Sequence, residues 1–323
     1  MIRYFIVLCL SFSSSLLGSI PSMTFDEIDR IAFGSCNHQD KAQPLWNAIV
    51  RQNPQLWIWT GDVVYADTSD SSERQTIYKK QKTQSDYAAF RARIPIIGTW
   101  DDHDYADNNS DRTAKNREES QNDFLEFIDQ RANHPKDRKG VYRSYSFGPK
   151  GRHLKVFLLD TRFHKDPWGT DSGTILGEDQ WKWLEAGLKQ SRAEVNIIVS
   201  SIQVLPKEHR FEKWQNFPKE RDRLLTLLSS QNVKTPIIIS GDRHIAEISG
   251  LTINGRNITE VTSSGMTHSY SSFSSEANKL RFGEVYYQLN FGEIDINWGR
   301  RTADISVRDQ GAQAVLTRRI YLD

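Results

Sequence analysis

The sequence predicts a single α/β domain built from layered sheets. Up to Ile248, near-continuous apolar runs of strand length alternate with segments of helical periodicity. Apolar strands of this kind are typical of a sheet that is covered on both faces. After Ile248, short runs that alternate between apolar and polar residues predict a β-rich tail. No internal repeat or low-complexity linker divides the sequence, so we expect one domain rather than two.

The predicted strands are rich in β-branched and aromatic residues and end in polar ones. Within the tail, Asn254-Gly255 is a hairpin signal, because both residues readily adopt positive φ. The predicted strands are Arg30–Ser35, Gln55–Val64, Ile94–Trp100, His153–Asp160, Val195–Ser201 and Thr235–Ser240, followed by tail runs at Thr252–Val261, Val285–Trp298, Ala303–Val307 and Ala314–Leu322. The predicted helices are Leu45–Arg51, Ser71–Arg93, Thr113–Arg131, Gly177–Ser191 and Lys219–Ser230.

The N-terminal segment has the composition of a secretory signal peptide. Arg3 supplies a positive charge, Tyr4–Leu10 is an unbroken apolar run, and residues 11–19 are rich in serine. The apolar run is too short to span a bilayer, and no other segment approaches a membrane span. We therefore expect a signal peptide at residues 1–22, a catalytic domain at 23–323, and a secreted or periplasmic protein. A buried N-terminal segment is the alternative.

Charge and cysteine content narrow the function classes. Lys and Arg number 42 against 41 Asp and Glu, and the basic block that a nucleic-acid-binding surface normally needs is absent from the sequence. Cys9 would leave with the signal peptide, so Cys36 would have no disulfide partner. A lone thiol in an oxidising compartment needs protection, which a bond to a metal would provide. We expect a monomer that binds a small substrate.

Polar segments with metal-binding potential follow the predicted strands. In α/β folds, ligands gather at the carboxyl ends of the strands. Adjacent carboxylates such as Asp101 and Asp102 repel one another unless a cation or a basic group lies near. Asp and His together with one Cys and one Tyr are suitable ligands for a di- or trivalent metal. The segments are Gly34-Ser35-Cys36-Asn37, Thr60-Gly61-Asp62-Val63-Val64-Tyr65, Trp100-Asp101-Asp102-His103-Asp104, Asp160-Thr161-Arg162, Ser201-Ile202-Gln203 and Ser240-Gly241-Asp242-Arg243-His244.

These segments, in this order, resemble the alkaline phosphatase D (PhoD-like) family of the metallophosphoesterase superfamily. The resemblance extends from about Ile31 to Trp298. It implies a sandwich of two mixed β-sheets flanked by helices, which is the calcineurin-like four-layer fold. It also implies a secreted phosphoesterase that hydrolyses phosphate mono- or diesters by attack of a metal-bound hydroxide. The implied dinuclear centre holds Fe³⁺ with Ca²⁺, although the softer thiolate ligand leaves zinc or another divalent metal as an alternative.

The resemblance assigns a role to each candidate residue. His103 would protonate the leaving oxygen, and Arg162 would hold a phosphate oxygen through its planar guanidinium. Asn108 or Asn109 is a candidate for a further ligand oxygen, and the role of Gln203 stays open. The implied metal ligands are Cys36, Tyr65 and His244 for the iron, Asp102 and Asp242 for the second metal, and Asp62 as the bridge, with an exchange of Asp101 for Asp102 as an alternative.

Two other functions remain as alternatives. The same metal site would also suit phospholipid or phosphoanhydride bonds. A non-catalytic protein that binds metal or phosphate is the third possibility, because Cys36, Asp102 and Asp242 replace the Asp, Asn and His of the plain superfamily pattern. The alkaline phosphatase D pattern accounts for these departures. Among the tryptophans, Trp168 and Trp214 are the candidates for the substrate cleft, since their surroundings are polar.

Overall fold

Strands that are buried on both faces form the centre of the molecule. The computed structural model describes residues 27–169, 172–273 and 275–323, and the predicted signal peptide lies outside these ranges. Every residue of β2 (Leu56–Thr60) is buried, as the prediction of a covered sheet requires. The other strands are β1 (Arg30–Gly34), β3 (Ile96–Thr99), β4 (Arg143–Phe147), β5 (Leu154–Leu158), β6 (Val195–Ser200), β7 (Pro236–Ser240), β8 (Ala246–Ile253), β9 (Arg256–Ser263), β10 (Arg281–Tyr286), β11 (Phe291–Asn297), β12 (Thr302–Arg308) and β13 (Ala314–Tyr321).

The strands within the described ranges form two mixed sheets. The first has the order β13-β12-β11-β1-β2-β3 and the second the order β10-β8-β9-β7-β6-β5-β4. In the first sheet β1, β2 and β3 run parallel, and in the second β5, β6, β7 and β9 do. The remaining strands pair antiparallel at the flanks. Mixed sheets of this kind confirm the predicted architecture.

Alternate residues of each sheet face two different apolar layers, because successive strand side chains point to opposite faces. Ile31 and Phe33 of β1 pack between the sheets against residues such as Ile197 and Ile239. Trp57 and Trp59 of β2 face outward beneath the first set of helices. These helices are α1 (Trp46–Arg51), α2 (Ser71–Thr83), α3 (Ser85–Arg91), α4 (Asp102–Tyr105) and α5 (Arg117–Phe127), while α6 (Gly177–Lys189) and α7 (Pro218–Leu228) cover the second sheet. The result is the predicted four-layer arrangement.

Local departures from the predicted elements have physical causes. The predicted helix Ser71–Arg93 is divided at Gln84, whose backbone is extended and whose side chain accepts a hydrogen bond from the backbone N–H of Tyr87. The hairpin at Asn254 and Gly255 is confirmed, with φ of 51° and 75° between β8 and β9. Among the described helices, each is too short or too polar to cross a bilayer.

Candidate metal centre

The candidate ligands lie in the segments that follow strands of both sheets, and Asp102 is also the first residue of α4. Cys36 follows β1, Asp62 follows β2, Asp102 follows β3, and Asp242 follows β7. Because β1, β2 and β3 run parallel in one sheet and the second sheet packs against it, these loops meet at the same edge of the sandwich. The fold therefore brings together side chains that are far apart in the sequence.

Backbone strain is concentrated at these loops. Cys36, Asp62, Asp242 and His244 have φ of 59°, 47°, 68° and 53°. This left-handed region is uncommon for residues other than glycine, and each such residue costs of order 1–3 kcal/mol when the surroundings enforce it. Four candidate ligands thus adopt a conformation that aims their side chains inward at the expense of local stability.

The first half of the site contains a thiol, a carboxylate, a phenol and an imidazole. Ligand atoms of Cys36, Asp62 and His244 all lie within 4.8 Å of one another. The Tyr65 hydroxyl donates to Asp62 Oδ2 at 3.4 Å and lies 3.0 Å from His244 Nε2. The Cys36 thiol donates to the same Oδ2 at 3.5 Å. The four residues that the sequence assigns to the iron and its bridge therefore surround one point.

The second half of the site is rich in carboxylates. Atoms of Asp62, Asp102 and His103 lie within 4.8 Å of one another, and so do atoms of Asp101, Asp102 and Asp242. Asp62 thus belongs both to this half and to the first half, as a bridging ligand must. Asp102 is held in place because its Oδ2 accepts the backbone N–H of Asn109 at 2.6 Å. The six predicted ligands form one connected cluster.

The electrostatics of the cluster favour bound cations. Burial, together with the neighbouring Asp102 and Asp101, raises the pKa of Asp62 well above its usual range. Burial and the same two carboxylates also raise the pKa of Asp242. Asp62 Oδ1 and Asp101 Oδ2 are buried without a hydrogen-bond partner. Buried, mutually repelling carboxylates with unpaired oxygens fit a site whose charge is balanced by metal ions.

His103 stands beside the cluster with a carboxylate partner of its own. Its Nδ1 lies 2.6 Å from Oδ1 of Asp67, and its ring centroid lies 4.1 Å from that of Tyr65. Burial lowers the pKa of His103, but the hydrogen bond to Asp67 and the charge of Asp102 outweigh burial and raise the pKa to about 9. In the metal-free protein the ring is therefore protonated near neutral pH, and Nε2 is available as a donor.

Arg162 lies among buried carboxylates next to the cluster. The side chain is fully buried, with Nε donating to Asp101 Oδ1 at 2.5 Å and Nη1 lying 2.5 Å from Glu212 Oε2. Its Nη2 lies 3.9 Å from Asp102 Oδ1. Glu212 also accepts a hydrogen bond from Lys165. Two carboxylates thus engage Nε and Nη1, while Nη2 is buried on the side of Asp102 without a hydrogen-bond partner.

The remaining polar candidates have supporting contacts. Asp104 accepts the backbone N–H groups of Val63 and Val64 and so joins the loops after β2 and β3. Gln203 is fully buried and donates to Glu247 and Thr262.

Sequence reasoning did not assign Glu212 or His268 to the site. The His268 ring lies 4.3 Å from that of His244 and 5.1 Å from that of Tyr65. The position of His268, next to Met266-Thr267 after β9, was a weak signal.

A cavity of about 500 Å³ opens beside the cluster. Trp168 lies in its wall and is 44% exposed, in agreement with the expected cleft position. The same expectation for Trp214 is wrong, because this residue is fully buried under the second sheet and its Nε1 donates to Ser200 Oγ at 2.9 Å. The cavity is lined by Asn108, Asn109, Trp168, Arg210, Phe211, Glu212, Asp242, Arg243, His244 and Tyr270.

One family model and one curated relative match the sequence. A family model described as PhoD-like phosphatase matches residues 31–289. Alkaline phosphatase D of Bacillus subtilis (strain 168) is 21% identical over 290 residues, which cover 73% of this chain and 48% of that protein. The chain thus spans about half the length of this curated relative.

Solved structures of low sequence identity share the fold. The structure of PhoD matches with a TM-score of 0.71 at 15% identity and covers 92% of this chain and 69% of that one. Purple acid phosphatase PPD1 from yellow lupin (Lupinus luteus) seeds matches with a TM-score of 0.64 at 11% identity, over 92% of this chain and 54% of that one. GAP50, described as the anchor in the inner membrane complex of Plasmodium, matches with a TM-score of 0.61 at 11% identity, over 91% and 89% of the two chains.

Proposed function

Because the chain belongs to the PhoD-like phosphatase family, we propose that it is a secreted, metal-dependent hydrolase of phosphate mono- or diesters. The observation that carries this proposal is the convergence of Cys36, Asp62 and His244 from loops after three separate strands. The composition of residues 1–22 supports export.

The donor atoms suit two different cations. Phenolate, thiolate and imidazole from Tyr65, Cys36 and His244 suit iron in its ferric state, with zinc as the alternative. The carboxylates of Asp102 and Asp242 suit Ca²⁺, which prefers oxygen ligands. Asp62 would bridge the two positions. When bound, such a pair of cations lowers the pKa of a coordinated water and neutralises charge on the phosphate oxygens.

His103 is suited to donate a proton to the leaving oxygen. Its Nδ1 side is held by Asp67, so Nε2 can face the substrate with its proton. Transfer of this proton to the departing alkoxide would leave a neutral imidazole. A positioned acid of this kind contributes about 10²–10⁴-fold to the rate.

Arg162 would support the site through its neighbours, and the phosphate contact through its unpaired Nη2 is the alternative. Its guanidinium balances the charges of Asp101 and Glu212, and it thereby holds the loop that carries Asp102. We therefore assign Arg162 as a positioning residue. An exposed cation near the cluster is still available for a phosphate oxygen, because Arg210 lies in the cavity wall.

A non-catalytic binding function is the second candidate. The similarity in fold to GAP50, which is described as an anchor, favours it. The buried, unpaired oxygens of Asp62 and Asp101 fit bound cations under both candidates, so turnover is the property that separates them. Phospholipid and phosphoanhydride substrates remain alternatives within the hydrolase proposal.

Hydrolysis of a chromogenic phosphate monoester and diester by the metal-loaded protein tests the proposal. The metal content should be measured on the same sample, and Asp62→Asn serves as the inactive control. We expect turnover that disappears in the variant and after chelation. Bound metal without turnover of either ester would support the binding function instead.

A further inference from the structure

The cavity beside Asp242 and His244 has an aromatic wall with a defined geometry. The Phe211 ring is held on one face by the Arg243 guanidinium, whose central carbon lies 4.5 Å from the ring centroid. Tyr270 packs against the ring edge-on, at 6.1 Å and 84°. Arg243 is fixed in turn by Glu276, which accepts hydrogen bonds from both of its terminal nitrogens. The wall is therefore rigid before any ligand binds.

This wall is joined directly to the metal cluster. The backbone N–H of Tyr270 donates to the carbonyl of His244 at 2.7 Å. Arg243 lies between Asp242 and His244 in the sequence, so the same short loop carries the candidate ligands and the support of Phe211. A phosphate at the cluster would consequently direct its ester group toward the aromatic side chains.

Trp168 supplies a second apolar surface. Among the exposed large hydrophobic side chains of the described residues, which also include Phe282, Tyr287 and Tyr321, Trp168 is the one that lines this cavity. Leaving an indole in water has no structural benefit, whereas aromatic faces bind flat rings by stacking. Large exposed apolar side chains at the rim of a cleft are typical of a binding site.

The cavity also contains polar groups that a nucleotide could contact. Arg210 is exposed, and its guanidinium carbon lies 5.2 Å from the Phe211 centroid. The amides of Asn108 and Asn109 can donate and accept hydrogen bonds. The carboxylate of Glu212 is already paired with Arg162 and Lys165.

We propose that this cavity is a leaving-group subsite for a nucleoside, so that the substrate class is nucleoside phosphate esters; this rests on the proposed function. The base would stack on Trp168 against the wall that Phe211 forms with its neighbours, and Arg210 would meet any additional phosphate. A volume of about 500 Å³ lies within the usual range for small-molecule sites. In the reaction, water adds to phosphorus, the bond between phosphorus and the 5′ oxygen breaks, and that oxygen takes a proton, which yields a nucleoside and inorganic phosphate.

Adenosine 5′-monophosphate and ribose 5-phosphate form a matched pair of substrates. Both release a primary alcohol of similar acidity, so the difference between them reports on the base. We expect kcat/KM to be roughly 10-fold higher for the nucleotide, which is the scale of one base stacked on an aromatic side chain. Trp168→Ala should reduce this ratio to about 1–3, and Trp168→Phe should retain most of it. Tyr321→Ala removes an aromatic side chain that is 79% exposed and lines a different cavity, and it should change nothing.

The outcomes separate this inference from the proposed function. Equal kcat/KM for the two esters would overturn the nucleoside subsite and leave the hydrolase proposal intact. If neither the chromogenic esters nor these two phosphates are hydrolysed, the hydrolase proposal fails. Calorimetric binding of adenosine monophosphate and ribose 5-phosphate then tests the nucleoside subsite by itself. Binding of adenosine monophosphate that is no tighter than that of ribose 5-phosphate would overturn it.

Discussion

Replacement of Arg162 by methionine should strongly destabilise the metal-free protein. Methionine fills most of the buried volume but removes the charge that balances Asp101 and Glu212. Glu212 retains Lys165 as a partner. Asp101 retains neutral donors such as the Ser201 hydroxyl, which donates to it at 2.5 Å, but no positive charge that pairs with it directly. The main consequence is therefore an uncompensated carboxylate at a position with no exposure to water.

The size of the effect follows from the burial. Removing one partner of a buried ion pair costs about 3–5 kcal/mol, which lowers the Tm of a domain of this size by about 10 °C. Burial raises the pKa of Asp101 to about 6, although Arg162 opposes the rise. Without Arg162 this pKa rises further, so the folded state holds a proton that the unfolded state releases. The loss of stability should therefore grow as the pH increases above about 6.

Thermal and urea unfolding of chelator-treated protein at pH 5.5 and pH 8 would measure this loss. Arg112→Met is the matched control, because Arg112 pairs with Asp166 at 2.8 Å but is 55% exposed, and such a pair contributes at most about 1 kcal/mol. Asp101→Asn combined with Arg162→Met should recover part of the stability, since it removes the orphaned charge. If Arg162→Met unfolds like the wild type and loses activity alone, the originally expected phosphate contact would be correct and the positioning role wrong.

Three further changes probe separate parts of the account. His103→Ala should lower kcat by about 10²-fold or more while the bound metal is retained; a loss of metal would identify His103 as a ligand instead. Asp67→Asn should lower the pKa of His103, because Asp67 raises it. The alkaline limb of the pH–rate profile should therefore move to lower pH. An unchanged limb would show that Asp67 does not set the pKa of the catalytic acid. Trp46→Ala should cost about 3–5 kcal/mol in urea unfolding with the metal content unchanged, because Trp46 is 1% exposed among other rings; a loss below about 1 kcal/mol would contradict this packing.

The sequence was most informative for strands whose position in the fold requires an apolar residue at most positions. Strands β2, β6 and β7 are apolar at nearly every position because both of their faces are covered, and such runs are recognisable without an alignment. β4 (Arg143–Phe147) was missed, since it is a half-exposed flanking strand with the polar sequence Arg-Ser-Tyr-Ser-Phe. The break at Gln84 was missed because glutamine is rarely a helix N-cap.

In the site, too, residues with a local sequence pattern were predicted, and residues placed by the tertiary fold alone were not. The loops with Asp62 and Asp242 were identified because Gly-Asp directly follows an apolar run in each. Glu212 escaped detection, as it lies in an irregular segment and reaches Arg162 only through the tertiary fold. The carboxylates around Arg162 were not predicted for the same reason, because a sequence reveals the charge of an arginine but not its neighbours in the fold.

The metal content of the purified protein, compared with that of Asp62→Asn, tests the central claim most directly. If Asp62 connects both halves of the cluster, elemental analysis should find about two ions per wild-type chain and a marked loss of both in the variant. Ferric iron bound to Tyr65 would also give a visible charge-transfer band that disappears in Tyr65→Phe. A wild-type protein that binds less than about one ion per chain after metal loading, or a variant that binds as much as the wild type, would contradict the account.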